Sequence, residues 1–120
     1  MPIARVIFDH TLDSRVEDAA PALIHELSVA LEEGLQSKRA KPQVMLQPGA
    51  YVSEPYMIYV DLQFRADPSR DKARVEQVLA DMAKILAVHF PVPARLRGFA
   101  IDQQTLSAFD SELVVEGPML

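Results

Sequence analysis

Apolar and polar positions alternate along this chain with two different periods, and the switches between them mark out six elements. Ile3 to Phe8 is a short apolar run rich in β-branched residues, which predicts a strand. The stretch from His10 to Asp18 is polar and punctuated. A helix is expected after it, with Pro21 in the first turn, where a missing N–H costs nothing. Its apolar residues Leu23, Ile24, Leu27, Leu31 and Leu35 form one stripe at helical spacing, and Gly34 marks its end. Pro42 to Tyr51 reads as a second strand with Val44 and Leu46 on one side, bounded by turn chemistry at Pro48-Gly49.

Met57 to Phe64 alternates most cleanly, with Ile58, Val60, Leu62 and Phe64 on one face and Tyr59, Asp61 and Gln63 on the other. Asp67, Pro68 and Ser69 are expected to open a second helix, whose buried stripe is Val75, Val78, Leu79, Met82, Leu86 and Phe90. Pro91 and Pro93 end it. Leu96 to Ile101 predicts a fourth strand, and the remaining tail a short strand or arm.

The order is β-α-β twice, and an internal comparison points to duplication. Shifting the chain by 55 residues lays Ser14-Arg15 on Ser69-Arg70, and Leu23, Ile24, Leu27 and Leu31 on Val78, Leu79, Met82 and Leu86. The expected fold is α/β (α+β): a four-stranded mixed sheet with both helices on one face, since each helix has one apolar stripe to bury. One domain over 1–120 is expected, with halves of about 1–53 and 54–110 and a tail over 110–120. The second sheet face has nothing left in the chain to cover it, so another copy is the expected cover.

Composition narrows the function. Apolar residues are 49% and charged residues 24% of the chain, an ordinary globular balance. No run approaches the ~18–20 apolar residues of a membrane span, and the start lacks a secretory pattern. A formal charge of −5, with scattered cations apart from Lys38, Arg39 and Lys41, argues against a nucleic-acid partner. The absence of cysteine removes disulfides, thiolate nucleophiles and cysteine-ligated metals, and a cytoplasmic location is the simplest expectation.

Catalytic patterns are scarce. His10, His25 and His89 show no zinc spacing, and no phosphate loop, dinucleotide fingerprint or nucleophile elbow is present, so neither metal nor organic cofactor is expected. Glu32-Glu33 reads as a solvated helix end. The remaining candidate is Pro2. Removal of Met1 would leave a secondary amine at the head of a buried strand. An α-amino group titrates near ~8, and desolvation or nearby cations favour its neutral, basic form. On residues alone, Pro2 reads more readily as simply a strand's first residue, a position proline tolerates.

The opening Met1-Pro2-Ile3-Ala4, the duplicated layout and the length resemble the tautomerase superfamily, and within it most closely the 5-carboxymethyl-2-hydroxymuconate isomerase family. The best stretch is Tyr59-Val60-Asp61-Leu62-Gln63-Phe64-Arg65 leading to Ser69-Arg70, and Gly98-Phe99-Ala100-Ile101 is similar to a later strand of that family. The resemblance implies a homotrimer with sites near subunit boundaries and an amino-terminal proline as proton carrier. It also implies Arg70 as the residue that holds a substrate carboxylate. Lys41 stands where the family has another arginine, a departure that keeps the charge and loses the planar fork. Arg15 matches an arginine of the shorter tautomerases. The implied activity is tautomerisation of a small carboxylated enol or unsaturated 2-oxo acid. Two alternatives stay open: a non-catalytic oligomer of the same fold, and a decarboxylase or dehalogenase built on it.

Overall fold

The computed structural model describes residues 2–37 and 41–111. Strand β1 (Ile3–Asp9) leads through a 3-10 turn (His10–Leu12) into helix α1 (Asp13–Gly34) and then β2 (Gln43–Ala50). The second half repeats this order with β3 (Ile58–Arg65), α2 (Lys72–His89) and β4 (Ala94–Ile101). The sheet order is β2-β1-β3-β4. Each half contributes one parallel pair, β1 with β2 and β3 with β4, and the halves join through the antiparallel pair β1–β3. This is the duplicated, mixed four-stranded sheet with two helices that the hydrophobic pattern predicts.

Burial follows the period-two alternation. Ala4, Val6 and Phe8 of β1 and Ile58, Val60, Leu62 and Phe64 of β3 are at most 4% exposed and face both helices. Leu23, Leu27, Leu31 and Leu35 of the first half and Val78, Met82, Leu86 and Phe90 of the second close over them in one cluster. Phe8 and Phe90 meet at its centre with ring centroids 5.0 Å apart.

Four details differ from the sequence expectation. Helix α1 begins at Asp13, well before Asp18, because Val16 is already a core residue, 4% exposed and two turns ahead of Leu23. Pro21 therefore lies inside the helix; its exposed position leaves the undonated carbonyl of Glu17 to solvent. Ile24 leaves the buried stripe and is 40% exposed, beside Leu46 and Pro48 of the edge strand. Pro48 and Gly49 lie inside β2: Ile7 pairs Gln47 and Asp9 pairs Ala50, so two residues oppose Phe8 alone. An edge strand tolerates the proline, and Gly49 at φ +84 takes the conformation that this bulge needs. Finally, Asp67, Pro68 and Ser69 form a separate turn; the cap of α2 is Asp71, whose carboxylate accepts from Arg74 N at 2.8 Å.

Gly34 allows the helices to meet. A methyl group there would collide with Val78 Cγ2 at the helix contact. Gly34→Ala is expected to cost about 1–2 kcal/mol by overpacking, despite alanine's better helix propensity. Combining it with Val78→Ala should show favourable coupling in denaturant unfolding; strict additivity would refute the contact.

Residues 102–111 add no regular element, and the tail's last nine positions, 112–120, lie outside the described residues. No helix among the described residues is long and apolar enough to cross a membrane.

Candidate active site

Strand directions decide which candidates meet. β1 and β2 start, and β3 and β4 finish, at the same end of the sheet. That end therefore gathers Pro2, Lys41, Arg65, Arg70 and the segment after Ile101. Pro2 is buried and its carbonyl accepts from Gln43 N at 2.9 Å, which ties the chain's start to β2. Lys41, immediately before β2, is exposed, with Nζ 3.9 Å from Glu32 Oε1. Lys38 and Arg39 lie outside the described residues.

Arg70 is half-committed to the scaffold. Its Nε and Nη2 donate to Leu35 O at 3.2 and 3.1 Å, and its Nη1 to Arg65 O at 3.1 Å. The first two bonds serve a carbonyl left over at the end of α1; the third holds the end of β3. Among the described residues, three of the five guanidinium N–H groups are thereby used and two are not. Arg15 sits in the first turn of α1, after the far end of β1. Within one chain it lies at the opposite end of the sheet from Pro2, so it reaches a Pro2 site only from another copy.

At the Pro2 end a cavity of about 330 Å³ opens between the sheet and the following segment. Ile3, Gln63, Arg65 and Ile101 line one side of it, and Leu106 and Asp110 the other. An Asp102 turn directs the chain there: its carboxylate accepts from Gln104 N at 2.9 Å and its carbonyl from Thr105 N at 3.1 Å. The sequence reading did not single out Arg65 as a site residue, although a cation closing an alternating strand was a legible signal.

The sheet face away from the helices consists of cross-strand rows. One row is Gln43, Ile3, Gln63 and Phe99; the next is Met45, Arg5, Asp61 and Arg97. Phe99 and Met45 are 46% and 40% exposed. Asp61 Oδ2 lies 3.6 Å from Arg5 Nη2, while Asp61 Oδ1 is buried without a hydrogen-bond partner among the described residues.

The histidines stay apart from Pro2 chemistry. His89 Nε2 lies 3.2 Å from Glu26 Oε1 across the two helices, and the His10 ring packs tilted against Tyr51 with centroids 4.4 Å apart. No group of three metal-ligating side chains occurs among the described residues. A structural carboxylate at the far end was missed by the sequence reading. Asp9 accepts from Thr11 Oγ1 at 2.6 Å, from Thr11 N at 3.1 Å and from Val52 N at 2.9 Å. The Asp-x-Thr spacing is the signature of such a turn. These bonds, led by the Thr11 hydroxyl, lower its pKa from 3.8 to about 2. Because the folded value is depressed, its contribution to stability is complete above 3.8 and disappears as pH falls towards 2. Acid denaturation of Asp9→Asn should lack this portion of the wild-type pH slope; an unchanged slope between pH 4 and 2 would refute the assignment.

No family model matches the chain, and no curated protein matches it. Solved structures do. A macrophage migration inhibitory factor-like protein from Entamoeba histolytica superposes with a TM-score of 0.71 at 12% identity, over 92% of this chain and 96% of that one. Pt0534, solved after inactivation by 2-oxo-3-pentynoate, gives 0.71 at 15% identity over 88% and 90%. A wild-type fused 4-OT symmetric trimer gives 0.69 at 15% identity, again over 88% and 90%. These neighbours are members of the tautomerase superfamily, and at such identities the likeness establishes the shared fold.

Proposed function

We propose that this protein is a cofactor-independent tautomerase acting on a small carboxylated enol or unsaturated 2-oxo acid, with the Pro2 amine as general base. The observation that carries the reading is the placement of buried Pro2 at the head of β1, at the sheet end where Lys41 and Arg70 also lie. Once Met1 is removed, the Pro2 nitrogen is a neutral secondary amine when deprotonated, and the cations at that end favour this form. It would take the proton of the enol hydroxyl and return one to the conjugated carbon, leaving the ketone and a neutral amine again. Arg70, through its two remaining N–H groups, and Lys41 would hold the carboxylate and stabilise developing enolate charge. Arg15 would join them from a neighbouring copy.

The assembly we propose is a homotrimer in which the second sheet face is covered by other copies. Exposed Met45 and Phe99 and the unpartnered Asp61 Oδ1 on that face favour such cover, as does the trimeric fused 4-OT of the same fold. A cytoplasmic location and the nearer likeness to 5-carboxymethyl-2-hydroxymuconate isomerases belong to the same proposal.

Intact mass of the untagged protein comes first, because a retained Met1 would acylate the Pro2 nitrogen. An ultraviolet assay of enol-to-ketone conversion on the trimmed protein then tests the chemistry. Release of carbon dioxide or halide would replace tautomerisation with decarboxylation or dehalogenation. Absence of turnover on a panel of enolised 2-oxo acids would favour the non-catalytic oligomer.

A further inference from the structure

We propose that Arg65 is a further substrate-binding residue, gripping the carboxylate at the mouth of the Pro2-end cavity, and that Leu106 and Phe109 form the wall that receives an apolar substrate body. The substrate class is then a monocarboxylate with a compact apolar portion, in preference to a dicarboxylate or to the polycarboxylate for which the 5-carboxymethyl-2-hydroxymuconate isomerases are named. This deepens the tautomerase reading and rests on it for the identity of the reacting group.

Arg65 differs from Arg70 in what its guanidinium already does. Three Arg70 N–H groups are spent on backbone carbonyls, whereas the exposed Arg65 side chain has no hydrogen bond or ion pair among the described residues. Its backbone is nevertheless held in place. Arg65 O accepts from Arg70 Nη1 at 3.1 Å, Arg65 pairs Ile101 in the ladder, and Ala66 N donates to Ile101 O at 2.8 Å. A full planar fork thus projects from a fixed strand end, the arrangement that grips a carboxylate bidentately. The same strand end lines the cavity beside Ile3, the residue directly after Pro2.

The walls set the rest of the ligand. Ile3, Ile101 and Leu106 are apolar, and Phe109 stands at the mouth with its surface 91% exposed. A phenylalanine that bare gains most when a ligand removes it from water. At about 330 Å³ the space is near the small end of ligand pockets, roughly 300–1,000 Å³. The charged lining residues are Arg65 and Asp110, one cation and one anion. A first carboxylate has a partner in Arg65. Arg70 and Lys41 lie at the same sheet end but do not line this cavity, so a second carboxylate inside it meets Asp110, which repels it.

Binding of unreactive probes tests this without relying on turnover. 3-Phenylpropionate and adipate would be titrated by calorimetry into wild type, Arg65→Gln, Arg65→Lys and Phe109→Ala proteins. All three substitutions alter side chains exposed in the single protomer, and circular dichroism with size-exclusion chromatography would verify that each variant is folded and assembled as wild type is. Wild type is expected to bind 3-phenylpropionate at least tenfold more tightly than adipate. Arg65→Gln should lose at least tenfold in 3-phenylpropionate affinity, Arg65→Lys should recover part of that loss, and Phe109→Ala should lose about threefold to tenfold. Failure of wild type to bind 3-phenylpropionate, or an Arg65→Gln affinity within twofold of wild type, would overturn the role of Arg65. Equal binding of the two probes would overturn the substrate class. Arg65-dependent binding without any enol turnover supports this inference while refuting the proline chemistry, so the two readings fail separately.

Discussion

Pro2→Ala is expected to lower kcat for enol-to-ketone conversion by about 10²–10⁴-fold, the usual contribution of a positioned general base. The substitution leaves a primary amine at the chain start, so a charge is conserved while the rigid secondary amine is lost. Its structural effect should be small, because the interaction of residue 2 with the sheet is a carbonyl accepting from Gln43 N, and alanine supplies the same carbonyl. Unchanged unfolding together with collapsed kcat would place the effect in the chemistry. Activity within threefold of wild type, on protein whose mass proves Met1 removal, would eliminate Pro2 as the base. The pH profile gives a second check: kcat/KM should rise as the amine deprotonates, and that limb should move or vanish in the variant.

Phe8→Ala is expected to destabilise the fold by about 3–5 kcal/mol, the cost of removing a large aromatic from a packed core. Phe8 is fully buried, and its ring touches Phe90, the residue that closes α2. Truncation opens a void between the two halves of the duplication, where neither helix can collapse without moving its own strand. A domain of this size has a total stability of about 5–15 kcal/mol, so the variant should approach the threshold of folding. Urea unfolding at several protein concentrations measures the loss and separates it from weakened association, which would make the midpoint depend on concentration. A loss below 1 kcal/mol would contradict the packing around Phe8.

The second half was more legible than the first for identifiable reasons. In β3 the alternation of Ile58, Val60, Leu62 and Phe64 with polar residues follows the pleat without interruption, and the structure buries those four residues. In the first half two local signals outvoted the pattern. Pro21 reads as a helix start by its own chemistry, but Val16 gains enough from core contact to extend the helix through it. Pro48-Gly49 reads as a turn, and in the sheet it becomes a bulge because β1 supplies a partner on both sides of it. Asp67-Pro68-Ser69 reads as the opening of α2, and the hydrogen bond that Asp71 accepts from Arg74 N puts the cap four residues later.

For the site, the chain alone marked Pro2 as an unusual position and ranked Arg70, Lys41 and Arg15 through a family resemblance. It carried no information on which of these share a sheet end, because that depends on strand direction. The antiparallel β1–β3 pairing brings Arg65 and Arg70 to Pro2, while Arg15, which follows β1, lies at the far end of the same protomer. Nor can a sequence register that Arg70 spends three donors on carbonyls at the ends of α1 and β3 while the Arg65 side chain donates to none of the described residues. Periodicity in hydrophobicity is a local property, written residue by residue, and it was sufficient for the elements, the two halves and the core faces. The pairing of donors with acceptors and the meeting of distant strand ends are properties of the packed sheet, so only the folded chain could decide them.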